Sequence, residues 1–171
     1  AKKQELQGYP RNAIRAYREI ALSRDQKYSS LARYDNAVLS QQINALSLNE
    51  AIGELEKLRF AWTEPKFKWE LLNRLADFYV KNADYYNALK TLKETLPMAT
   101  PDQRRTLLAK MVQWFEDIYI NNQADNSLSA VKSLALYQDF EWLAARSKHQ
   151  NEIIQKLADR LVAVDLLPRA D

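Results

Sequence analysis

The stretch LADFYVKNADYYNA, from Leu75 to Ala88, decides the fold, because the chain spells it again as LADRLVAVDLLPRA from Leu157 to Ala170. Aligned without a gap, the two share Leu, Ala, Asp, Val and the closing Ala, five of fourteen positions, and two more positions exchange Tyr for Leu. A degenerate phrase repeated 82 residues apart points to a chain built from internal units. A shorter phrase recurs around it: Ala, then a β-branched residue or Leu, then an apolar residue every third or fourth position. It marks Ala13-Ile14, Ala51-Ile52, Ala88-Leu89 and Ala130-Val131, and Ala170 opens a fifth. The spacings are 38, 37, 42 and 40, so the two long phrases lie two units apart.

Composition narrows what such a unit can be. Two Gly and five Pro in 171 residues leave too little turn chemistry for a β protein. Ala, Leu, Lys, Gln, Arg and Glu, the good helix formers, dominate. The fold class expected is all-α. With no Cys, disulfides and thiolate chemistry are excluded, and redox gives no compartment. No apolar run approaches the roughly 20 residues that cross a bilayer. The start, AKKQELQG, has no hydrophobic stretch of a signal peptide. A net charge of +3 is mildly basic and falls short of a nucleic-acid footprint.

Helical periodicity predicts where the helices lie. Ile14, Tyr17 and Ile20 set one over 10–22; Leu31, Tyr34, Val38 and Leu46 set another over 28–46. Ile52, Leu55 and Leu58 define 48–62, with Ser47 and Glu50 as a capping box. Leu71, Leu72, Leu75, Phe78 and Tyr79 define 65–82, and Tyr85, Leu89, Leu92 and Leu96 define 84–96. Thr100-Pro101-Asp102-Gln103 is the sharpest helix start, and its helix runs to about Ile120. After the polar loop NNQADNS, Ser127 is expected to cap a helix carrying Val131, Leu134, Tyr137 and Phe140. RSKHQN breaks it, and a further helix covers 152–164. The expectation is about nine helices in antiparallel pairs, the last cut short. As one helical-repeat segment, the units are 1–22 (partial), 28–62, 65–97, 101–145 and 150–171 (partial).

This spelling resembles the tetratricopeptide repeat family, whose first helix reads roughly W-x2-L-G-x2-Y and whose second reads G-x4-A-x3-F-x2-A. Leu72, Leu75, Ala76 and Tyr79 match the first motif; Ala83, Asp84, Tyr85, Ala88 and Leu92 match the second, with Pro101 just past the closing Pro. Leu157, Ala158, Leu161 and Ala170 match in the last unit, and Gly8, Ala13 and Tyr17 in the first. The units here exceed the usual ~34 residues, and the Trp of the first motif is absent. The resemblance implies an α-solenoid, a right-handed superhelix in which each unit buries its face against its neighbours. LADRLVAVDLL is also similar to wording in large uncharacterised repeat proteins of alphaproteobacteria, which implies a bacterial array in the cytoplasm or periplasm.

Chemistry-bearing motifs are scarce. His149 is the only His, set in a polar turn without metal-ligand spacing around it. Gly8 and Gly53 alone cannot build a phosphate loop. No Ser is paired with a placed His, and no carboxylate pair stands out. The expectation is a non-catalytic protein with no cofactor and no metal. Trp62, Phe67, Trp69, Trp114 and Trp142 fall at core spacing, and RFAWTEPKFKW around Pro65 is a candidate contact ridge.

In the family, ligands lie along the first helix of each unit. Carried over, this implies a groove of Glu70, Asn73, Asp77 and Lys81, then Gln113, Glu116 and Asp117, then Glu152, Gln155 and Asp159. That face reads as acidic to neutral, unlike the Lys- and Arg-bearing carboxylate clamp of the family. The function implied is an interaction scaffold for a protein or peptide of basic character. Nucleic acid is disfavoured as the alternative, because such grooves need Lys or Arg to meet phosphates. A structural spacer is the remaining alternative. Arg11, Arg15 and Arg18, with Lys2 and Lys3, form a basic face on the first helix. Both ends read as cut from a longer array, so self-association through uncapped ends is also expected.

Overall fold

The computed structural model describes residues 1–2, 8–61, 64–121 and 128–166. Among these the protein is all-helical, without a strand. Eight α-helices follow in order: α1 (Pro10–Ala21), α2 (Gln26–Gln42), α3 (Leu48–Leu58), α4 (Pro65–Lys81), α5 (Tyr85–Thr95), α6 (Pro101–Tyr119), α7 (Ala130–Ala144) and α8 (Gln150–Leu166). A single 3-10 turn, Leu96–Met98, separates α5 from α6. The ninth helix expected near Ala170 lies outside the described residues, as do Lys3, Trp62 and Ser127.

Side-chain caps set the helix starts. Both expected capping boxes form: Ser47 with Glu50 at α3 and Thr100 with Gln103 at α6, each pair bonding reciprocally through side chain and backbone. The α2 start lies two residues before the Tyr28 that periodicity predicts. Asp25 accepts from the Lys27 and Tyr28 N–H groups at 2.9 and 3.3 Å, so the helix opens at Gln26 rather than Tyr28. At α7 the observed cap is Ser129, which accepts from Lys132 N–H. The last helix opens at Gln150, two residues before the expected 152.

Two helix ends follow one device. Asn44 and Ala83 both adopt φ 57, in the left-handed region. Behind Asn44, Ala45 N–H donates to Ser40 O and Asn44 N–H to Gln41 O. Behind Ala83, Asp84 N–H donates to Tyr79 O and Ala83 N–H to Val80 O. These are Schellman motifs, which satisfy the last carbonyls of α2 and α4. The first stops α2 at Gln42, four residues short of the expected Leu46.

The repeated anchor is sharper in space than in sequence. Ala13, Ala51 and Ala88 have no exposed surface, and each lies four residues after its N-cap (Tyr9, Ser47, Asp84). The fourth expected anchor, Ala130-Val131, is out of register: Ala130 is buried but lies one residue after its cap Ser129, and Val131 is 72% exposed. Four residues after Ser129 comes Ser133, fully buried, followed by Leu134 against the core. A search for Ala misses this position, because a buried Ser fills the same small volume. α2 and α4 share a register of their own. Ala37 and Ala76 are buried, each twelve residues after its cap, Asp25 or Glu64.

The core is serial. One buried cluster joins α1 to α2, the next joins α2, α3 and α4, and the largest runs from α4 through α8. α2 and α4 therefore each contribute to two successive clusters. Polar ties join the same neighbours. Arg59 bonds Glu56, Thr91 and Glu94, while Tyr79 donates to Glu56 at 2.6 Å, linking α3, α4 and α5. Further on, Tyr119 donates to Ser133 O at 2.8 Å, and Arg160 to Ile118 O at 2.9 Å, linking α6, α7 and α8. α7 carries a kink at Phe140 (φ −128, ψ 19), whose buried ring meets Tyr86 edge-on. The α7–α8 turn then reaches α6 near its end, where Ser147 donates to Glu116.

Candidate functional site

The side chains expected in a groove sit on α4, α6 and α8, and the helix packing sorts them into separate clefts. Glu70, Asn73 and Asp77 of α4 line a cleft of about 330 Å³ together with Tyr34 of α2, Trp69 and Arg74. Across α4, Trp69 and Asn73 also line a second cleft of about 350 Å³, closed by Asp102, Gln103, Thr106, Leu107 and Lys110 of α6. The two share Trp69 and Asn73, so they form one trough over α2, α4 and α6. Lys81 is exposed near the end of α4, with its ammonium 5.9 Å from the Phe78 ring, and lines neither cleft.

Geometry within the trough is fixed from both sides. Tyr34 stacks edge-on against the buried Phe67, with centroids 5.8 Å apart. Burial raises the Tyr34 phenol above its ordinary value, and the hydrogen-bonded Arg74 guanidinium opposes that shift. Asn73 donates to Trp69 O at 2.9 Å, which spends one of its amide hydrogens. Lys110 pairs with Asp77 at 2.5 Å and lies 4.8 Å over the Trp114 ring.

Gln113, Glu116 and Asp117 line a different cleft, of about 540 Å³, opposite Arg146, Lys148 and His149 of the α7–α8 turn. Glu152 belongs to a shallow site of about 390 Å³ around that turn, with its carboxylate 3.2 Å from His149 Nδ1. Gln155 and Asp159 are exposed on α8 and line none of these clefts. The proposed groove residues are thus brought together on α4, separately on α6, and not on most of α8.

An acidic-to-neutral lining is not what the clefts carry. Arg74 and Lys110 stand in the trough and Arg146 and Lys148 in the α6 cleft, so both signs alternate. The sequence reading missed them for a physical reason. It read one helix face at a time, whereas a cleft takes one wall from each of two helices. Asp77 and Lys110 lie 33 residues apart, short of the 37 to 42 that separate the repeat phrases, so the spacing does not pair them. The RFAWTEPKFKW ridge also dissolves. Phe67 is core, Arg59 is a buried tie with 13% side-chain exposure, and Phe60 alone among the described aromatics there projects fully.

Among the described residues, no group of three or more potential ligands is placed to hold a metal, and no helix is long and apolar enough to cross a membrane. Compared with family models, with curated proteins and with solved structures, the chain matches none.

Proposed function

We propose that the chain is a degenerate tetratricopeptide-like stack of antiparallel helix pairs, acting as a non-catalytic scaffold that binds a protein or peptide along α2, α4 and α6. Support for the stack comes from the small buried residue four positions after each cap, repeated in α1, α3, α5 and α7. The serial core, with α2 and α4 each bridging two clusters, is the packing that repeat units give.

The single observation that carries the binding role is the trough itself. Its lining comes from three helices and includes an amide, carboxylates, a guanidinium and the aromatic side chains Tyr34 and Trp69. Such a mixed surface suits an extended peptide. Glu70 meets a cation and Arg74 an anion, while Tyr34 and Trp69 contribute apolar area. The basic preference expected from the acidic residues alone becomes a preference for a peptide of mixed charge, because Lys110 already neutralises Asp77.

Selection from a random-peptide display library tests this. Binders should lose affinity at least tenfold against the double variant Glu70→Ala/Arg74→Ala, and should weaken with salt as exposed charges are screened over about 8–10 Å. Binders indifferent to that variant would place recognition elsewhere. A second reading, self-association, is favoured by Ile154 and Val162, 44% and 57% exposed on α8. A sedimentation series over concentration separates the two.

A further inference from the structure

The two halves of the trough differ in chemistry. Between α2 and α4 the cleft surface is mostly polar. Glu70 and Arg74 stand there one helical turn apart, and among the described residues neither enters an ion pair. The Arg74 guanidinium meets the Tyr34 phenol, and that single bond leaves most of its five N–H donors for a ligand.

Between α4 and α6 the cleft surface is mostly apolar, because the polar side chains around it are bonded within the protein. Lys110 Nζ donates to Asp77 at 2.5 Å, Asn73 to Trp69 O at 2.9 Å, and Thr106 to Asp102 O at 3.2 Å. Gln103 Oε1 accepts the Thr100 N–H at 2.9 Å in the α6 capping box. Asp102 is almost fully exposed and lies 3.9 Å from Arg105. Trp69 and Leu107 supply the large apolar side chains of the lining. At about 350 Å³ the cleft is at the small end of ligand pockets, with room for one side chain rather than a cofactor.

The distance between the halves follows from the packing. Trp69 and Asn73 line both, so the halves flank α4. Packed helices lie about 8–10 Å apart and an extended chain rises about 3.3 Å per residue, so a peptide crossing α4 spends about three residues on the way.

We propose that the peptide held in the trough carries an apolar anchor, of the size of Leu, Met or Phe, about three residues from the charged residues that meet Glu70 and Arg74. This rests on the reading of the trough as a peptide site and adds the pattern its ligand must have. The anchor enters between α4 and α6 and lies against Trp69. Aromatic side chains in desolvated pockets carry a large share of binding energy, so the anchor sets affinity while Glu70 and Arg74 set register.

Sequencing peptides selected on the whole chain from a random linear library tests the spacing, and Thr106 tests the pocket. Thr106 is exposed and lines only the apolar half. Thr106→Glu puts a carboxylate there and should weaken the selected peptides by about tenfold or more, whereas Thr106→Val keeps the shape and should not weaken them. Replacing the peptide's anchor by Ala should cost about as much against the parent and little against Thr106→Glu, because both changes remove one contact. Thermal melts matching the parent show that the variants fold. Peptides that need Glu70 and Arg74 but lack an apolar residue at that spacing, or ignore Thr106→Glu, would overturn the inference and leave the trough a peptide site. Peptides indifferent to Glu70→Ala/Arg74→Ala and to Thr106→Glu alike would overturn both.

Discussion

Asp77 and Lys110, from α4 and α6, meet at 2.5 Å across the trough, so the acid best placed to attract a basic ligand is already partnered. Each side chain keeps about a third of its surface, so solvent screens the pair, and its removal should cost under about 1 kcal/mol. Lys110→Gln should instead free Asp77 and shift preference toward cationic peptides. Fluorescence anisotropy with matched cationic and anionic peptides measures that shift; equal change for both would show that the pair does not set selectivity.

Small residues at the anchor positions leave no room for growth. Ala76, Ala88 and Ser133 have no exposed surface; Ala76 belongs to the largest core cluster, and Ser133 meets Tyr119 and Arg160 of the neighbouring helices. Ala76→Leu, Ala88→Leu and Ser133→Leu should each destabilise by about 1–3 kcal/mol through overpacking. Val131→Leu, at the exposed position that follows Ala130 in the repeat phrase, should be near neutral. Urea midpoints decide between the two registers in α7.

Backbone conformation makes two stabilising substitutions available. Ala83 holds a left-handed φ of 57, which costs a non-glycine residue roughly 1 kcal/mol. Ala83→Gly should therefore stabilise by about 0.5–1 kcal/mol, the gain reduced by glycine's freedom in the unfolded chain. Gly53 is the opposite case: it sits exposed within α3, and an added Cβ would meet nothing within 4 Å. Gly53→Ala should stabilise by a similar amount through helix propensity, about 0.5–1 kcal/mol. Thermal melts of both variants check these signs.

Titration gives two windows. The Ser47 hydroxyl, and then its backbone N–H, hold the Glu50 carboxyl below its ordinary value. A lowered carboxyl pKa contributes stability above the unfolded value and loses it as pH falls through the folded one, so the start of α3 should fray in acid. Glu50→Gln should remove that dependence in amide shifts of Ser47. Burial raises the Tyr119 phenol well above its ordinary value, opposed by the Ser133 side-chain hydroxyl and by Arg160. A raised value acts in the opposite direction: stability is full below pH 10 and declines above it as the unfolded chain ionises. Tyr119→Phe should flatten part of that alkaline loss in urea midpoints.

Local chemistry in this chain was legible and its pairing in space was not. The capping boxes at Ser47 and Thr100 depend on residues three apart, so spacing alone finds them. The α2 end depends on Asn44 accepting a left-handed backbone, which periodicity does not register. Val131 fits the repeat phrase as well as Leu134 does, and only the position of the Ser129 cap distinguishes their faces. At the site, Glu70, Asn73 and Asp77 were found because one helix face holds them. Tyr34, Arg74 and Lys110 were missed because the trough borrows them from neighbouring helices and from the shoulder of α4.

Peptide binding in the trough over α2, α4 and α6 is tested most directly by amide and side-chain NMR shifts of the chain titrated with a display-selected peptide. The expected result is saturable perturbation at Tyr34, Trp69, Asn73, Arg74 and Lys110, with α8 residues Gln155 and Asp159 unmoved. Perturbation confined to α7 and α8, or no peptide bound more tightly than about millimolar, would contradict it.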